Sequence, residues 1–587
     1  MNTHFKYIYS AAFLALALMG TSCNDILDKE PDNRTHIDSP EKVKQLMTGA
    51  YPASSPITIL ELFGDNLVDN NVEVPGTHLP PYYEYLEEAY KWEDILTYGS
   101  STNDTPYKIW NAYYGGIAVC NQALQSIDEM LRKDPSLEPK LNAYKGEALV
   151  LRGFLHFWLV NIFAENYQND EMSAGVLGVP YCYEVEDVDI RTYERQSVKE
   201  VYDLIEKDIL EGLPLIDDSF YDLRPYHMNK NAAYAFASRF YLFKRDWKKC
   251  EEYASKVLEP TPGAMVRNWS TLDVSTNDLA KEWLNEKADN TNLLLFSTYS
   301  TFRRYIQSGR FAYNGSRDGG TNSGKSQYMN CPAAIVYGIN GPNWTSYSPW
   351  FDASLGCMYI SGEQKYGIWS FMMDEYFEYT DKIAGIGYVH MITHPLTADL
   401  TLIERAEARF YQGNIDGCIA DLDLWEKSHL VTKDLTLADI DKFYTASNHK
   451  PWVNDIHVAE MGWKAEDVAT ATANKPLLDC ILHFRRCETL YEGHRWFDIK
   501  RYGITISHRW LGPHEDRSSH TADRWDDAQA CHVDSLTWND PRRAVQIPYN
   551  VINAGLTSTD RIPLLGDGTS RDQSYKVSAD KGGKFQR

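Results

Sequence analysis

Residues 231–258 read Asn231-Ala232-Ala233-Tyr234-Ala235-Phe236-Ala237-Ser238-Arg239-Phe240-Tyr241-Leu242-Phe243-Lys244, a break at Arg245-Asp246, then Trp247-Lys248-Lys249-Cys250-Glu251-Glu252-Tyr253-Ala254-Ser255-Lys256-Val257-Leu258. Apolar residues recur at helical spacing on both sides of the break. A turn this short sends the second helix back along the first, and Trp247-x-x-Cys250 sets a large and a small residue at the crossing. The arrangement recurs at 401–425, where Ala406, Ala408, Tyr411, Gly413, Ile415 and Cys418 hold the corresponding positions.

This is the spacing of a tetratricopeptide repeat, with Cys250 and Cys418 where a small residue is needed. The repeat period is not sustained, so the repeats are degenerate. The expected fold class is all-α: helix pairs stacked into a right-handed superhelix, each pair burying a face its neighbour completes. From about 105 to 260 the helical period continues. Leu141, Tyr144, Ala148, Leu151, Leu155, Trp158, Leu159 and Ile162 mark one long helix. After the turn Gly178-Val179-Pro180, Ser197-Val198-Lys199-Glu200 is a capping box that opens another, with Val198, Val201, Tyr202, Ile205, Ile209 and Leu213 on one face. The helical body is expected over about 40–260, 396–425 and 475–502. A loop-rich insertion over about 261–395 is expected to carry the ligand site, with irregular segments at 426–474 and 503–587. All of 23–587 is then one domain.

The chain has 587 residues and a formal net charge of −24, which disfavours nucleic acid and other polyanions as partners. Residues 1–22 form a signal peptide: Lys6, the apolar run Ala11-Ala12-Phe13-Leu14-Ala15-Leu16-Ala17-Leu18-Met19, then Gly20-Thr21-Ser22 before Cys23. Small residues ahead of a cysteine resemble a bacterial lipobox, which makes Cys23 the acylated N-terminus, although Gly20 stands where that pattern usually has Leu. An ordinary cleavable signal beside a free cysteine is the alternative. No apolar run reaches ~18 residues, so no membrane-spanning helix is expected. The cysteines beyond Cys23 are odd in number and show no C-x-x-C spacing, which favours core positions over a disulfide framework or zinc site.

Catalytic templates are absent: there is no His-Glu-x-x-His and no Gly-x-Ser-x-Gly. Gly319-Gly320-Thr321-Asn322-Ser323-Gly324-Lys325-Ser326 matches a phosphate-binding loop formally. It lacks the preceding buried strand, and Cys331-Pro332 interrupts the following helix, so it reads as a flexible loop. With 82 acids some close carboxylate pair is inevitable, which discounts any particular one as a glycosidase centre or calcium site. No cofactor is indicated, and a structural calcium remains open. Aromatic residues make up 13% of the chain and cluster outside the helices. Flat aromatic faces suit the C–H faces of sugar rings, with nearby polar groups for the hydroxyls. The candidate ligand residues are Trp344, Tyr347, Trp350 and Tyr359 with Asn343, Asp352 and Arg317, and a second group of Tyr82, Tyr83 and Trp92. Trp110, Trp158 and Trp496 lie in periodic helices and read as core.

Several segments, in this order, resemble the SusD/RagB family of Bacteroidetes outer-membrane lipoproteins. They are Asp25-Ile26-Leu27-Asp28-Lys29-Glu30-Pro31, Glu147 to Phe154 with Asn161-Ile162-Phe163, Gly178-Val179-Pro180, Arg195-Gln196-Ser197-Val198, Phe484 to Arg501, and Ala544-Val545-Gln546-Ile547-Pro548. The resemblance implies a non-enzymatic surface lipoprotein, lipid-anchored in the outer membrane and facing outward. It would capture oligosaccharides and deliver them to a SusC-like TonB-dependent transporter; a peptide-capturing member is the near alternative. Binding residues vary across that family, so none carries over by motif. Within Phe484 to Arg501, the residues Arg485, Arg486, Glu488, Glu492, His494, Arg495 and Asp498 read as a polar network tying the last core helix to its neighbours. An all-α glycan-degrading enzyme and a purely structural surface protein are the rival functions. Turnover would separate the first from a binding protein, and silence toward every ligand the second.

Overall fold

Side-chain caps set where the helices begin. Thr105 accepts a hydrogen bond from the Lys108 amide at the head of helix Pro106–Lys133. Ser197 and Glu200 close the reciprocal capping box ahead of Val198–Gly212. Asn229, Asp246, Thr397 and Asn414 cap Lys230–Lys244, Trp247–Leu258, Ala398–Tyr411 and Ile415–Ser428. Each oxygen satisfies an amide that has no partner within its own helix. The computed structural model describes residues 37–69, 84–95, 103–186, 192–271, 282, 284–285, 290–306, 311–312, 341–344, 357–359, 368–370, 374–446, 453–511 and 531–561.

The helices pack as a stack of antiparallel neighbours. Glu138–Phe163 lies along both Pro106–Lys133 and Val198–Gly212, and Trp247–Leu258 lies along both Lys230–Lys244 and Ala398–Tyr411. At the latter crossing Trp247 stacks on Tyr411, ring centroids 4.2 Å apart, and its indole N–H donates to Asp467 at 2.8 Å. Cys250 is fully buried, with its sulfur 3.7 Å from the Glu404 carbonyl oxygen, so a small residue there lets the two backbones approach. Cys418 is equally buried in the following pair.

Backbones approach closely where Glu138–Phe163 crosses the end of Val198–Gly212. A Cβ on Gly146 would stand 2.8 Å from both the Gly212 carbonyl oxygen and the Ile216 nitrogen. Neither backbone atom can swing aside as a side chain could. Gly146→Ala is therefore expected to lower stability by about 1–3 kcal/mol through overpacking. Gly115→Ala, on the exposed side of the neighbouring helix Pro106–Lys133 with nothing within 4 Å of the added carbon, should be neutral or slightly stabilising. Urea midpoints of the two variants check the contrast, and equal midpoints would refute the contact.

The insertion leaves the body after Leu258 and rejoins it at Ala398, so the helices that bracket it are spatial neighbours. Its root is more ordered than expected. Asn292–Thr298, Ile386–Thr397 and Glu375–Asp381 form an antiparallel sheet with Ile386–Thr397 in the centre, Phe296 opposite Thr393 and Tyr376 opposite His390. Leu293 to Phe296 are buried on both faces, so the strand reads as a continuous apolar run with no alternation to betray it. Segment 426–474 likewise holds helices Leu437–Tyr444 and Ala465–Ala473, and segment 503–587 the hairpin Ile506–Leu511 with Cys531–Leu536. Helices of 8 and 9 residues barely repeat a 3.6-residue period, which hides them in the sequence.

Length and composition also make 135–163 long and apolar enough to cross a bilayer, contrary to the expectation of no such segment. Its apolar window lies wholly inside the protein. Buried Glu147, Arg152 and His156 interrupt the run, and each finds a partner within the fold.

Candidate functional site

Two of the expected ligand aromatics are core residues, which corrects that expectation. Trp92 is fully buried, donates its indole N–H to the Phe63 carbonyl at 2.9 Å and stacks 4.1 Å from His508. Trp344 is 4% exposed and packs 5.0 Å from Phe484 and 6.0 Å from Trp425. Asn343 is committed to the same interior, donating to Glu426 at 3.2 Å and to the Asp434 carbonyl at 3.3 Å. Glycine and proline neighbours suggested exposure, but a loop can dock its aromatic residues onto the helical body instead. Tyr359 ends the short strand Cys357–Tyr359, opposite Ile368. Tyr347, Trp350, Asp352, Arg317, Tyr82, Tyr83, Cys23 and the loop 319–326 lie outside the described residues.

The charged stretch near the end of the chain is structural. Glu407 is fully buried and ion-paired with Arg485 and Arg501, and it accepts from the Tyr502 hydroxyl at 2.7 Å. Arg485 and Arg501 also reach Asp498, at 3.1 and 3.2 Å. Arg495 grips Asp65 with two bonds of 2.9 Å, and Arg486 donates to Asn66 at 3.0 Å and to the Asp65 carbonyl at 3.1 Å. Burial alone would raise the Asp65 carboxyl, but the Arg486 and Arg495 charges outweigh it and hold it at about 2. These buried ion pairs tie the helices together, although Arg485 Nε, Arg495 Nη1 and Asp498 Oδ2 have no hydrogen-bond partner among the described residues. Nearby, a cavity of about 20 Å³ beside His394, Glu492 and His494 has room for little more than one water. Burial pushes Glu492 up to about 8 and His394 down to about 3 there, so both are neutral at pH 7.

The concave site lies elsewhere, on the outer face of helix Pro106–Lys133. Trp110, Tyr114, Ala118, Asn121 and Gln122 follow one another at spacings of three, four or one residue and so share a helical stripe. They floor a cavity of about 440 Å³, within the usual size of small-ligand sites. Its walls come from Pro180 to Glu186 with Thr192 and Tyr193 on one side, and Val551 to Leu556 on the other.

The first wall is held in place from below. The Tyr114 hydroxyl donates to the Pro180 carbonyl at 2.8 Å, and the Asn121 amide nitrogen donates to the carbonyls of Cys182 and Glu184 at 3.2 and 3.3 Å. The Cys182 amide donates to His156 Nε2 at 3.0 Å. Burial drives His156 down to about 3, which keeps the imidazole neutral and able to accept that bond. Tyr181 stacks on the same ring at 3.7 Å and hydrogen-bonds Asp208 at 2.6 Å. The cavity therefore has pre-ordered walls, two aromatic faces at its floor, a third in Tyr193, and the polar groups of Gln122, Glu184, Glu186 and Thr192. Such a set can stack a ring and accept hydroxyl hydrogens.

None of these residues was a ligand candidate in the sequence. Trp110 read as core, which its 6% exposure supports, yet its exposed edge lines the floor. The stripe Trp110, Tyr114, Ala118, Gln122 is the one sequence signal that points to the site, because aromatic and amide side chains share a helix face there. Among the described residues no group of three His, Cys, Asp or Glu side chains could hold a metal ion.

Residues 25–242 match the SusD-like_3 family model, described as starch-binding and associating with the outer membrane. No curated protein matches the sequence. Several solved structures share the fold. A SusD superfamily protein from Bacteroides vulgatus superposes with a TM-score of 0.53 at 12% identity, over 90% of this chain and 100% of its own. A SusD-like carbohydrate-binding protein from the same species gives 0.51 at 14% identity, over 93% and 97%. A laminarin-binding SusD-like protein gives 0.51 at 13% identity, over 89% and 98%.

Proposed function

We propose, from the match of residues 25–242 to the SusD-like_3 model and the shared fold, that the chain is a SusD-like protein and a non-enzymatic surface receptor that captures oligosaccharides for uptake. The observation that carries this reading is the cavity on helix Pro106–Lys133, where aromatic faces and hydroxyl-accepting groups converge on pre-ordered walls. The starch-binding description of the family and the carbohydrate ligands of two fold relatives support the ligand class. Acyl chains on Cys23 would anchor the protein in the outer membrane on its extracellular side, since more than one chain gives a stable anchor. A SusC-like TonB-dependent transporter would take the cargo. Tyr347, Trp350, Asp352 and Arg317 with Tyr82 and Tyr83 are proposed as further ligand contacts.

Calorimetry of the protein lacking residues 1–23 against panels of oligosaccharides and mixed peptides tests this. Saccharide binding without product formation is the expected result. A Gln122→Ala/Tyr193→Ala double variant should bind at least tenfold more weakly, because a lost stacking face alone is worth about 1 kcal/mol. Tyr347→Ala/Trp350→Ala reports on the second set of residues. Binding of peptides alone, or turnover of the saccharide, would overturn the proposal.

A further inference from the structure

We infer that Arg195 is a positioning residue for the cavity on helix Pro106–Lys133: its guanidinium joins the two walls and fixes the gap between them before a ligand arrives. The ligand half of this inference rests on the saccharide reading above. Arg195 is 8% exposed and does not itself line the cavity. Its bonds run in two directions. Nε donates to the Gly178 carbonyl at 2.6 Å and Nη2 to the Leu177 carbonyl at 3.1 Å, at the root from which the wall Pro180 to Glu186 rises. Nη1 donates to the Thr557 carbonyl at 3.1 Å and to the Thr559 hydroxyl at 3.0 Å, directly after the wall Val551 to Leu556.

Other bonds keep each wall in shape on its own side. In the first, the Gly178 amide donates to the Gln196 carbonyl at 2.7 Å, the Val198 amide to the Val176 carbonyl at 2.8 Å, and the Tyr181 amide to Gln196 Oε1 at 2.8 Å. The second starts in the short helix Tyr549–Asn553 and turns at Gly555, whose φ of 109° suits glycine, so that the Leu556 amide returns to the Val551 carbonyl at 3.2 Å. Gln546 pins its far end, donating to the Thr559 carbonyl at 2.8 Å and accepting from the Thr559 amide at 2.9 Å. The Arg195 bonds cross from one side to the other.

A guanidinium suits that task. Its donors point in fixed directions from one rigid plane, so covalent geometry sets the distance between the acceptors it holds. A lysine ammonium gathers its donors on one atom at the end of a flexible stem and cannot grip both walls in the same way. Walls held at the right separation beforehand spare a ligand the cost of ordering them.

Hydrogen exchange and calorimetry on the protein lacking residues 1–23 and its Arg195→Lys variant test this. Without ligand, the amides of 551–559 should exchange about tenfold faster in the variant, while helix Glu138–Phe163 stays protected. Malto- and laminari-oligosaccharides should bind it about tenfold more weakly. A saturating saccharide should restore protection to 551–559, because it bridges the same walls. Thr559→Val removes one bond to the second wall and should shift both readouts less, in the same direction; it carries the test if Arg195→Lys does not fold. Gly146→Ala, destabilised away from the cavity, is the control, and its affinity and its 551–559 exchange should match the parent under native conditions. Unchanged exchange at 551–559 in Arg195→Lys and Thr559→Val would overturn the clasp. Faster exchange with unchanged affinity, or an equal loss of affinity in Gly146→Ala, would overturn the positioning role and leave the receptor reading intact. No saccharide bound by the parent would overturn the receptor reading and the ligand half of this inference, while the exchange comparison still decides whether Arg195 joins the walls.

Discussion

Glu407→Ala should cost about 3–5 kcal/mol of folding free energy, the usual penalty for removing one partner of a buried ion pair. The carboxylate is fully buried between Arg485 and Arg501 and accepts from Tyr502 at 2.7 Å. Without it, Asp498 is the remaining ion-pair partner of the two guanidiniums among the described residues, and all three side chains are buried. Burial by itself would raise the Glu407 carboxyl, but the Arg485 and Arg501 charges outweigh it and hold it below the ordinary carboxylate range. Its stabilisation is therefore complete above that range and is lost as pH falls through the lowered folded value. Urea denaturation at pH 7 and pH 4 checks both statements, and the cost of the substitution should shrink at the lower pH. If Glu407→Ala does not fold, Tyr502→Phe removes one hydrogen bond to the same oxygen and should cost about 1 kcal/mol. A loss below 1 kcal/mol for Glu407→Ala would mean that water reaches the site.

Glu426→Gln is expected to act in the opposite direction. Glu426 has no exposed surface, sits beside Asp423 and Asp439, and receives one bond from Asn343 at 3.2 Å. Burial, with those two neighbouring carboxylates, pushes it up to about 8, the Asn343 bond and Lys433 opposing only in part. The unfolded chain releases that proton near the ordinary glutamate value of about 4.3, whereas the folded chain keeps it to about 8. Stability from this group is thus full at acid pH and falls as pH rises between those values, because the native state binds the extra proton. At about 1.4 kcal/mol per pKa unit, the penalty at pH 8 is roughly 3–5 kcal/mol. The glutamine keeps the acceptor for Asn343 and has no proton to lose. Its advantage over the parent should be near zero at pH 4.5 and grow steadily toward pH 8. Thermal melts at half-unit pH steps would show this, and parallel melting curves at all pH values would refute it.

Local chemistry made the helical body legible. Ser197 and Glu200 cap a helix through bonds within four residues, and Trp247 and Cys250 mark a crossing by size alone. The charged stretch Arg485 to Asp498 could be read as a network because so many opposite charges on adjacent turns must be neutralised once the helix is buried. The sheet at the root of the insertion was not legible, since a strand buried on both faces shows no period of two. Nor were Trp92 and Trp344. Their immediate neighbours are those of exposed loops, and their burial is decided by His508 and by Phe484 with Trp425, each far away in the chain.

By itself, then, the sequence determined the helix pairs with their caps and crossings, because those features are written in residues a few positions apart. Tertiary structure alone decided which aromatic rings remain accessible and where the walls of the cavity meet. Residues 110–122, 180–186, 192–193 and 551–556 form one site only after the superhelix has brought its first helices against segment 551–556. Contacts over that separation depend on how every intervening helix packs, and no local pattern encodes them.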